Sequence, residues 1–287
     1  MTVTESVLRA ESVSDALARL AELGEHGRPL AGGTWVLRAG LRGEDDPYRY
    51  VAIGGIPELA EVSYGDGELG VGALVTHTRL AELVAGPPAA ALVEAARGSA
   101  FPQVRNVATI GGNLAAIGFA EADLVPALLA GEAEVELAGP AGRRRIPVVD
   151  FLAWREKSAG ELITTVFLPT PAGRRSGFAR LTVRGSGEYP IANAAVSVDL
   201  DAEGAVRAAR IAVGSVEPVA KLCPVASESL VGHGFSDLEA IEEAGRIAAR
   251  ECSARDGLDA PGWYRAEVLP TLVRRAAAHA TGQEDSE

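Results

Sequence analysis

The stretch Ala108-Thr-Ile-Gly-Gly-Asn-Leu-Ala115 brings an apolar approach to two adjacent glycines, followed by an amide and a short apolar run. A shorter counterpart, Leu30-Ala-Gly-Gly-Thr34, stands far upstream. Glycine tolerates φ > 0 and carries no Cβ, so such turns can aim backbone N–H groups at an anion. Thr34, Thr109 and Asn113 add side-chain donors. The pairing suggests one diphosphate held from two sides. Neither turn fits G-x-G-x-x-G with a following acid, nor G-x-x-x-x-G-K-[ST], so a Rossmann domain and a P-loop are not supported. Gly-Gly pairs also occur in ordinary loops, and Gly54-Gly55 reads as one. The residues alone leave a dinucleotide site and plain structural turns both open.

Working outward, the chain reads as short alternating elements. Ser12 caps a helix in a capping-box-like pair with Asp15, and Val13, Leu17, Leu20 and Ala21 share one face at i, i+4, i+7 and i+8. The helix stops near Gly24 or Gly27, and residues 28–31 form a strand running into Gly32-Gly33. Residues 50–53 and 68–71 are strands, Thr76 caps a helix to about residue 84, and residues 89–96 are helical. Beyond the glycine block come a helix at 124–129, a hairpin of 134–137 with 145–148, and a β-prone run at 161–168. Residues 169–177 read as a linker. Three strands follow at 178–184, 192–200 and 205–213. Helices begin at Ser236, the last over 262–280 with Val268, Leu269, Leu272 and Val273 inward. Residues 281–287 are a polar tail, expected to be disordered.

With 287 residues, 47% of them hydrophobic, the chain can bury a sizeable core. No apolar run approaches the roughly 18 residues of a membrane span, and no secretory leader is visible, so a cytoplasmic protein is expected. A net charge of −12 argues against nucleic acid as a partner. Arg143-Arg-Arg145 and Arg174-Arg175 read as solvated turns. His77 has no histidine or cysteine near it in sequence and reads as a helix-start residue, not a metal ligand. The two cysteines, Cys223 and Cys252, read as inert thiols, with one disulfide as the alternative. They are too few for an all-cysteine [2Fe–2S] cluster, which takes four.

The chain resembles the FAD-binding medium subunits of molybdenum hydroxylases, the carbon monoxide dehydrogenase and xanthine dehydrogenase family. The resemblance is carried by Leu30-Ala-Gly-Gly-Thr34, Gln103-Val-Arg-Asn-Val-Ala-Thr-Ile-Gly-Gly-Asn-Leu114 and Ala122-Asp-Leu-Val-Pro-Ala-Leu-Leu129. Gly160-Glu-Leu-Ile-Thr164 with Leu168-Pro169, Trp263-Tyr-Arg265 and Arg274-Arg-Ala276 extend it, in family order, over nearly the whole chain. It implies an α+β fold: a two-lobed FAD-binding domain of the vanillyl-alcohol-oxidase (PCMH) type over residues 1–173, with lobes at about 1–57 and 58–173. A C-terminal domain of a small antiparallel sheet with a helix bundle would span 177–280.

The resemblance also implies a site. The pyrophosphate of FAD would lie on Ala31, Gly32, Gly33 and Thr34 and on Thr109, Ile110, Gly111, Gly112 and Asn113. Asp123 would be the acidic anchor, with capping of the following helix as a second role, and Ile163 an apolar contact to the flavin. Three positions depart from the family pattern or match it loosely. Trp35 stands where a small polar residue is usual, and is expected in the site or the core. Arg180 replaces a lysine, keeping the charge but not the geometry. Tyr189 sits near a tyrosine that covers the ring in some members.

No catalytic or metal-binding residue is implied in this chain. Electrons would come from two [2Fe–2S] clusters of a small partner subunit, supplied by the molybdenum cofactor of a large one, and pass through FAD to NAD+ or another acceptor. A dimer of heterotrimers is the implied assembly. Two rivals stay open: a stand-alone FAD oxidoreductase of this fold, and a non-catalytic assembly subunit. His26, His77, His233 and His279 lack the context of a covalent flavin link.

Overall fold

Three small sheets, each with its own helical cover, make up the protein. The structure is a computed structural model and describes residues 7–157, 160–184 and 189–282. The first sheet is parallel, with β1 (Val7–Arg9), β2 (Gly27–Leu30) and β3 (Arg49–Ala52) in the order β1-β3-β2. Helix α1 (Val13–Leu23) crosses between its first two strands. Ser12 Oγ accepts from the Asp15 N–H at 3.1 Å, while the Asp15 carboxylate reaches back to Glu11 N–H at 3.1 Å rather than to the cap residue. Val13, Ala16 and Leu20 are buried, and Ala21, expected inward, faces solvent. The buried stripe takes in Ala16, while Leu17 is only partly buried.

The second sheet is antiparallel, in the order β4-β5-β8-β6-β7, with β4 (Val62–Gly65), β5 (Glu68–Gly72), β6 (Glu134–Gly139), β7 (Gly142–Pro147) and β8 (Leu162–Pro169). The β4–β5 hairpin was not visible in the sequence: Val62-Ser-Tyr-Gly65 is short, mostly exposed and weakly patterned. Between β5 and β6 the chain makes α2 (His77–Ala81), α3 (Ala90–Gly98), α4 (Pro102–Arg105), α5 (Ile110–Ala115) and α6 (Leu124–Ala130); α7 (Val148–Trp154) follows β7. Leu92, Ile110, Leu114, Leu124, Leu128, Val135 and Val166 are at 0–2% exposure in one core under this sheet. Each such burial contributes about 1.5–3 kcal/mol.

The third sheet is antiparallel, with β9 (Arg174–Thr182), β10 (Pro190–Leu200), β11 (Val206–Gly214) and β12 (Lys221–Leu222) in the order β12-β11-β10-β9. Helices α8 (Pro224–Glu228), α9 (Leu238–Glu251), α10 (Gly262–Glu267) and α11 (Leu269–Thr281) accompany it. The single C-terminal helix expected over 262–280 is two, broken at Val268 ahead of Pro270, whose ring lacks the N–H a continuous helix needs. Arg265 is fully buried; its guanidinium serves the carbonyls of Ile191, Arg255 and Ser215 and the Asp259 carboxylate. The expected linker is shorter than read, because β9 begins at Arg174. Arg174 is not in a solvated turn. Buried at 5% exposure, it pairs with Asp199 at 2.7 Å and with Glu132 at 2.7 Å, tying β9 and β10 to the end of α6. Arg143, Arg144 and Arg145 likewise lie along β7 and pair with Glu136, Glu161 and Glu68. Residues 283–287 of the expected tail fall outside the described residues, and Thr281 ends α11. No helix among the described residues is long and apolar enough to cross a membrane.

His77 starts α2 as read, but it is also buried. Its Nδ1 lies 2.7 Å from Ser99 Oγ, which itself donates to the Ala96 carbonyl at 2.9 Å. The serine proton is therefore committed, so His77 donates through Nδ1–H and Nε2 is left without a proton or a partner. Burial, helped by Arg105, holds the imidazole at a pKa of about 4. An unfolded chain takes up this proton near the ordinary value, so stability falls as pH drops from there toward the folded pKa. Unfolding by urea at about pH 5 should show a loss of about 2 kcal/mol from this group relative to neutral pH. His77→Asn, which keeps a donor toward Ser99 without a titrating ring, should remove that part of the slope. An unchanged slope would place the acid sensitivity elsewhere.

Candidate cofactor site

Strand β2 delivers the chain into the first glycine turn, and Leu30 is pinned there by accepting the Ile53 N–H at 3.0 Å. Gly32 lies flat against the other glycine segment. A Cβ on it would overlap the Val107 carbonyl oxygen and sit 2.6 Å from the carbonyl carbon. Gly33 takes φ +68°, the left-handed region that side chains avoid. Its carbonyl then accepts the Leu37 N–H at 3.1 Å and starts the 3-10 turns of Val36–Arg42. Among the described residues, the backbone N–H groups of Gly32, Gly33, Thr34 and Trp35 donate to no protein acceptor, and neither does the Thr34 hydroxyl. These are neutral N–H and O–H donors on one tight turn, the chemistry a diphosphate takes.

The second block is built differently from the expectation. Thr109 to Asn113 is not a free turn but the start of α5, with Thr109 as its N-cap. Its amides are committed: Ile110 N–H to the Val75 carbonyl at 3.0 Å, Gly111 to Ala73 at 3.0 Å, Gly112 to Thr109 Oγ1 at 3.1 Å and Asn113 to the Thr109 carbonyl at 2.9 Å. Neither glycine here has a positive φ. Gly111 serves close packing instead, since a Cβ would lie 2.8 Å from that of Ala73. The block contributes the platform on which Gly32 rests, together with the Asn113 side chain. Asn113 Oδ1 accepts the Leu124 N–H at 3.3 Å, which leaves its NH2 group without a protein acceptor among the described residues.

Asp123 occupies the N-cap position of α6, but its side chain makes no capping hydrogen bond. Its carboxylate, 4% exposed, instead meets Arg180 Nε and a second guanidinium nitrogen, each at 3.2 Å, and accepts from Asn193 Nδ2 at 3.0 Å. Arg180 also donates to the Gly98 carbonyl. Burial raises the Asp123 pKa to about 6, against the pull of Arg180 and Asn193. A folded-state pKa above the unfolded one means that this group's contribution to stability is complete at low pH and declines as pH rises toward that value.

Trp35 is half-buried and outside the cores. It stacks on Phe119 at 4.4 Å and donates from Nε1 to the Ile117 carbonyl at 3.0 Å. The Arg42 guanidinium lies over the same ring, 3.8 Å from its centre. Tyr189 meets Phe119 edge-on at 5.6 Å, and its hydroxyl accepts from Arg38 at 3.4 Å. Trp35 and Tyr189, far apart in sequence, thus share one aromatic row beside the first turn. Ile163 is in the core under the second sheet, 7% exposed, on the strand whose Thr164 carbonyl accepts the Ala73 N–H.

Phe119 and Asn193 were missed from sequence. Asn193 left a signal: one amide inside the apolar run Pro190-Ile-Ala-Asn-Ala-Ala-Val196 is fully buried and must find a partner. Phe119, in the short loop between α5 and α6, left none.

Residues 2–171 match the model of the FAD binding domain in molybdopterin dehydrogenase, and residues 178–280 that of the CO dehydrogenase flavoprotein C-terminal domain. The 6-hydroxypseudooxynicotine dehydrogenase complex subunit alpha of Paenarthrobacter nicotinovorans is 34% identical, with 94% of this chain and 92% of that protein aligned. The carbon monoxide dehydrogenase medium chain of Afipia carboxidovorans is 30% identical over 95% of each. A solved structure of Cu,Mo-CO dehydrogenase superposes with a TM-score of 0.86 at 28% identity, over 97% of this chain and 98% of that one. The superposition, the shared length and both domain matches make this chain a member of the family of FAD-binding subunits of molybdenum hydroxylase-type oxidoreductases.

Proposed function

We propose that this chain holds FAD and relays electrons within a cytoplasmic molybdenum hydroxylase complex, from the [2Fe–2S] clusters of a small partner subunit to NAD+ or another acceptor. Bound FAD would supply an isoalloxazine that accepts electrons singly and releases them in pairs. The observation that carries the reading is the row of uncommitted amides at Gly32–Trp35, seated on Val107. Those amides and the Thr34 hydroxyl would take the pyrophosphate, with the Asn113 amide reaching it from the α5 side. Gly111 and Gly112 would act through packing. Asp123 and Arg180 would form the charged wall where the third sheet meets the N-terminal part, and Trp35, Phe119 and Tyr189 the aromatic one. On this reading the boundary between an FAD domain over 1–173 and a C-terminal domain over 177–280 falls at the first three residues of β9. Two cysteines leave the iron–sulfur clusters to the small partner and the molybdenum cofactor to a large one, arranged as a dimer of heterotrimers.

The purified chain, incubated with excess FAD and desalted, should keep flavin absorbance near one equivalent. A spectrum without flavin bands would remove the cofactor assignment. Affinity purification from the native host should then recover a cysteine-rich small chain and a large molybdenum chain. A flavin-loaded chain recovered alone would replace the electron relay with a stand-alone oxidoreductase.

A further inference from the structure

The two cysteines, distant in sequence, meet in the third sheet's helical cover. Cys223 immediately precedes α8 and is fully buried; Cys252 caps the C-terminus of α9 and is partly exposed. The residues around each are tied to those around the other. Glu251 accepts the Val225 and Ala226 N–H groups on its carboxylate, at 3.2 and 2.8 Å. Lys221 Nζ donates to the Glu251 carbonyl at 2.8 Å and to Glu217 at 3.2 Å, and Glu217 also accepts the Ser253 N–H at 2.8 Å. Cys252 is thus bracketed by two tethers onto the segment that carries Cys223, and its side chain packs against the apolar cluster that contains Cys223.

The pair is chemically asymmetric. Cys252 is partly exposed while Cys223 is fully buried; the neighbouring thiol and Lys221 hold the Cys252 pKa down, and the neighbouring thiol and burial push Cys223 up. Cys252 therefore carries the thiolate character and the solvent access that make a thiol react, and Cys223 keeps its proton out of reach. A pair placed only for packing needs neither feature.

We propose that Cys223 and Cys252 form a reversible, peroxide-driven disulfide that links the start of α8 to the end of α9. Cys252 Sγ attacks hydrogen peroxide; an S–O bond forms, the O–O bond breaks, and the departing hydroxide is protonated to water. Cys223 Sγ then attacks the Cys252 sulfur; the S–S bond forms, the S–O bond breaks, and hydroxide leaves with the Cys223 proton as a second water. Two thiols and one hydrogen peroxide give one disulfide and two waters. A dithiol reductant returns both thiols by exchange. The assignment is independent of the FAD reading.

The test uses the full-length chain. In the native reduced protein, iodoacetamide should alkylate Cys252 at least about tenfold faster than Cys223. One equivalent of hydrogen peroxide should then protect both thiols from alkylation in denaturant, and peptide mapping should find Cys223 joined to Cys252 within one chain. Dithiothreitol should restore both. Cys223→Ser should stop at a dimedone-reactive sulfenic acid on Cys252, and Cys252→Ser should leave Cys223 reduced at the same dose. Two alkylatable thiols after peroxide, disulfides only between chains, or equal alkylation rates in the native protein would each overturn the proposal.

Discussion

Gly32→Ala is expected to weaken FAD binding at least about 100-fold, corresponding to a loss of about 3 kcal/mol. The new methyl group would meet the Val107 carbonyl, and both partners are backbone, so no side chain can swing aside. The first turn must lift off its platform, which moves the amides of Gly32 to Trp35 together. Overpacking of this kind also costs about 1–3 kcal/mol of stability. The measurement is an FAD titration followed by flavin fluorescence, run beside urea unfolding. Gly54→Ala is the control, because that glycine faces open space and has no positive φ. Wild-type affinity in Gly32→Ala would mean that the approach of the two segments does not shape the cofactor site.

Asp123→Ala should destabilise the folded chain by about 3–5 kcal/mol, since it removes one partner of a buried ion pair in which the Arg180 side chain is only 11% exposed. Asn193 would lose its acceptor at the same time. Replacing both charges, as in Asp123→Leu with Arg180→Met, removes both members of the pair and should recover most of that loss, because a buried pair exchanged for apolar groups of similar size is often nearly neutral. The double variant should still bind FAD poorly if the pair serves the cofactor. Urea midpoints separate the folding effect and flavin retention reports the binding one. Full flavin retention in a well-folded double variant would reduce Asp123 and Arg180 to a structural clip between α6 and β9.

Much of the fold was legible because its signals are local. The cap at Ser12, the alternation in β6 and the β-branched run of β8 each depend on residues within a few positions of one another. The elements misread were those with weak local signals or non-local control. The β4–β5 hairpin is short and exposed, and the Pro270 break in the last helix was hidden by continuing apolar periodicity. Arg174 looked like a surface residue because nothing adjacent in sequence shows that Asp199 and Glu132 will enclose it.

The candidate site divides in the same way. The glycine motifs, their order and the family they belong to are written in the sequence, because steric demands for glycine at Gly32, Gly33 and Gly111 leave only one residue type that fits. What those glycines do was settled by tertiary structure alone. A backbone N–H is available or committed according to which carbonyl lies opposite it, and Ala73 and Val75 are brought to α5 from the turn after β5, some 35 residues away. The same holds for Asp123, whose second reading as a cap gives way to Arg180 and Asn193, for Trp35 stacked on Phe119, and for Cys252 packed against the cluster that holds Cys223. Sequence alone determined which residues must be small, apolar or charged; folding decided which of them meet, because hydrogen bonds and ion pairs act over a few ångströms between groups that the chain keeps far apart.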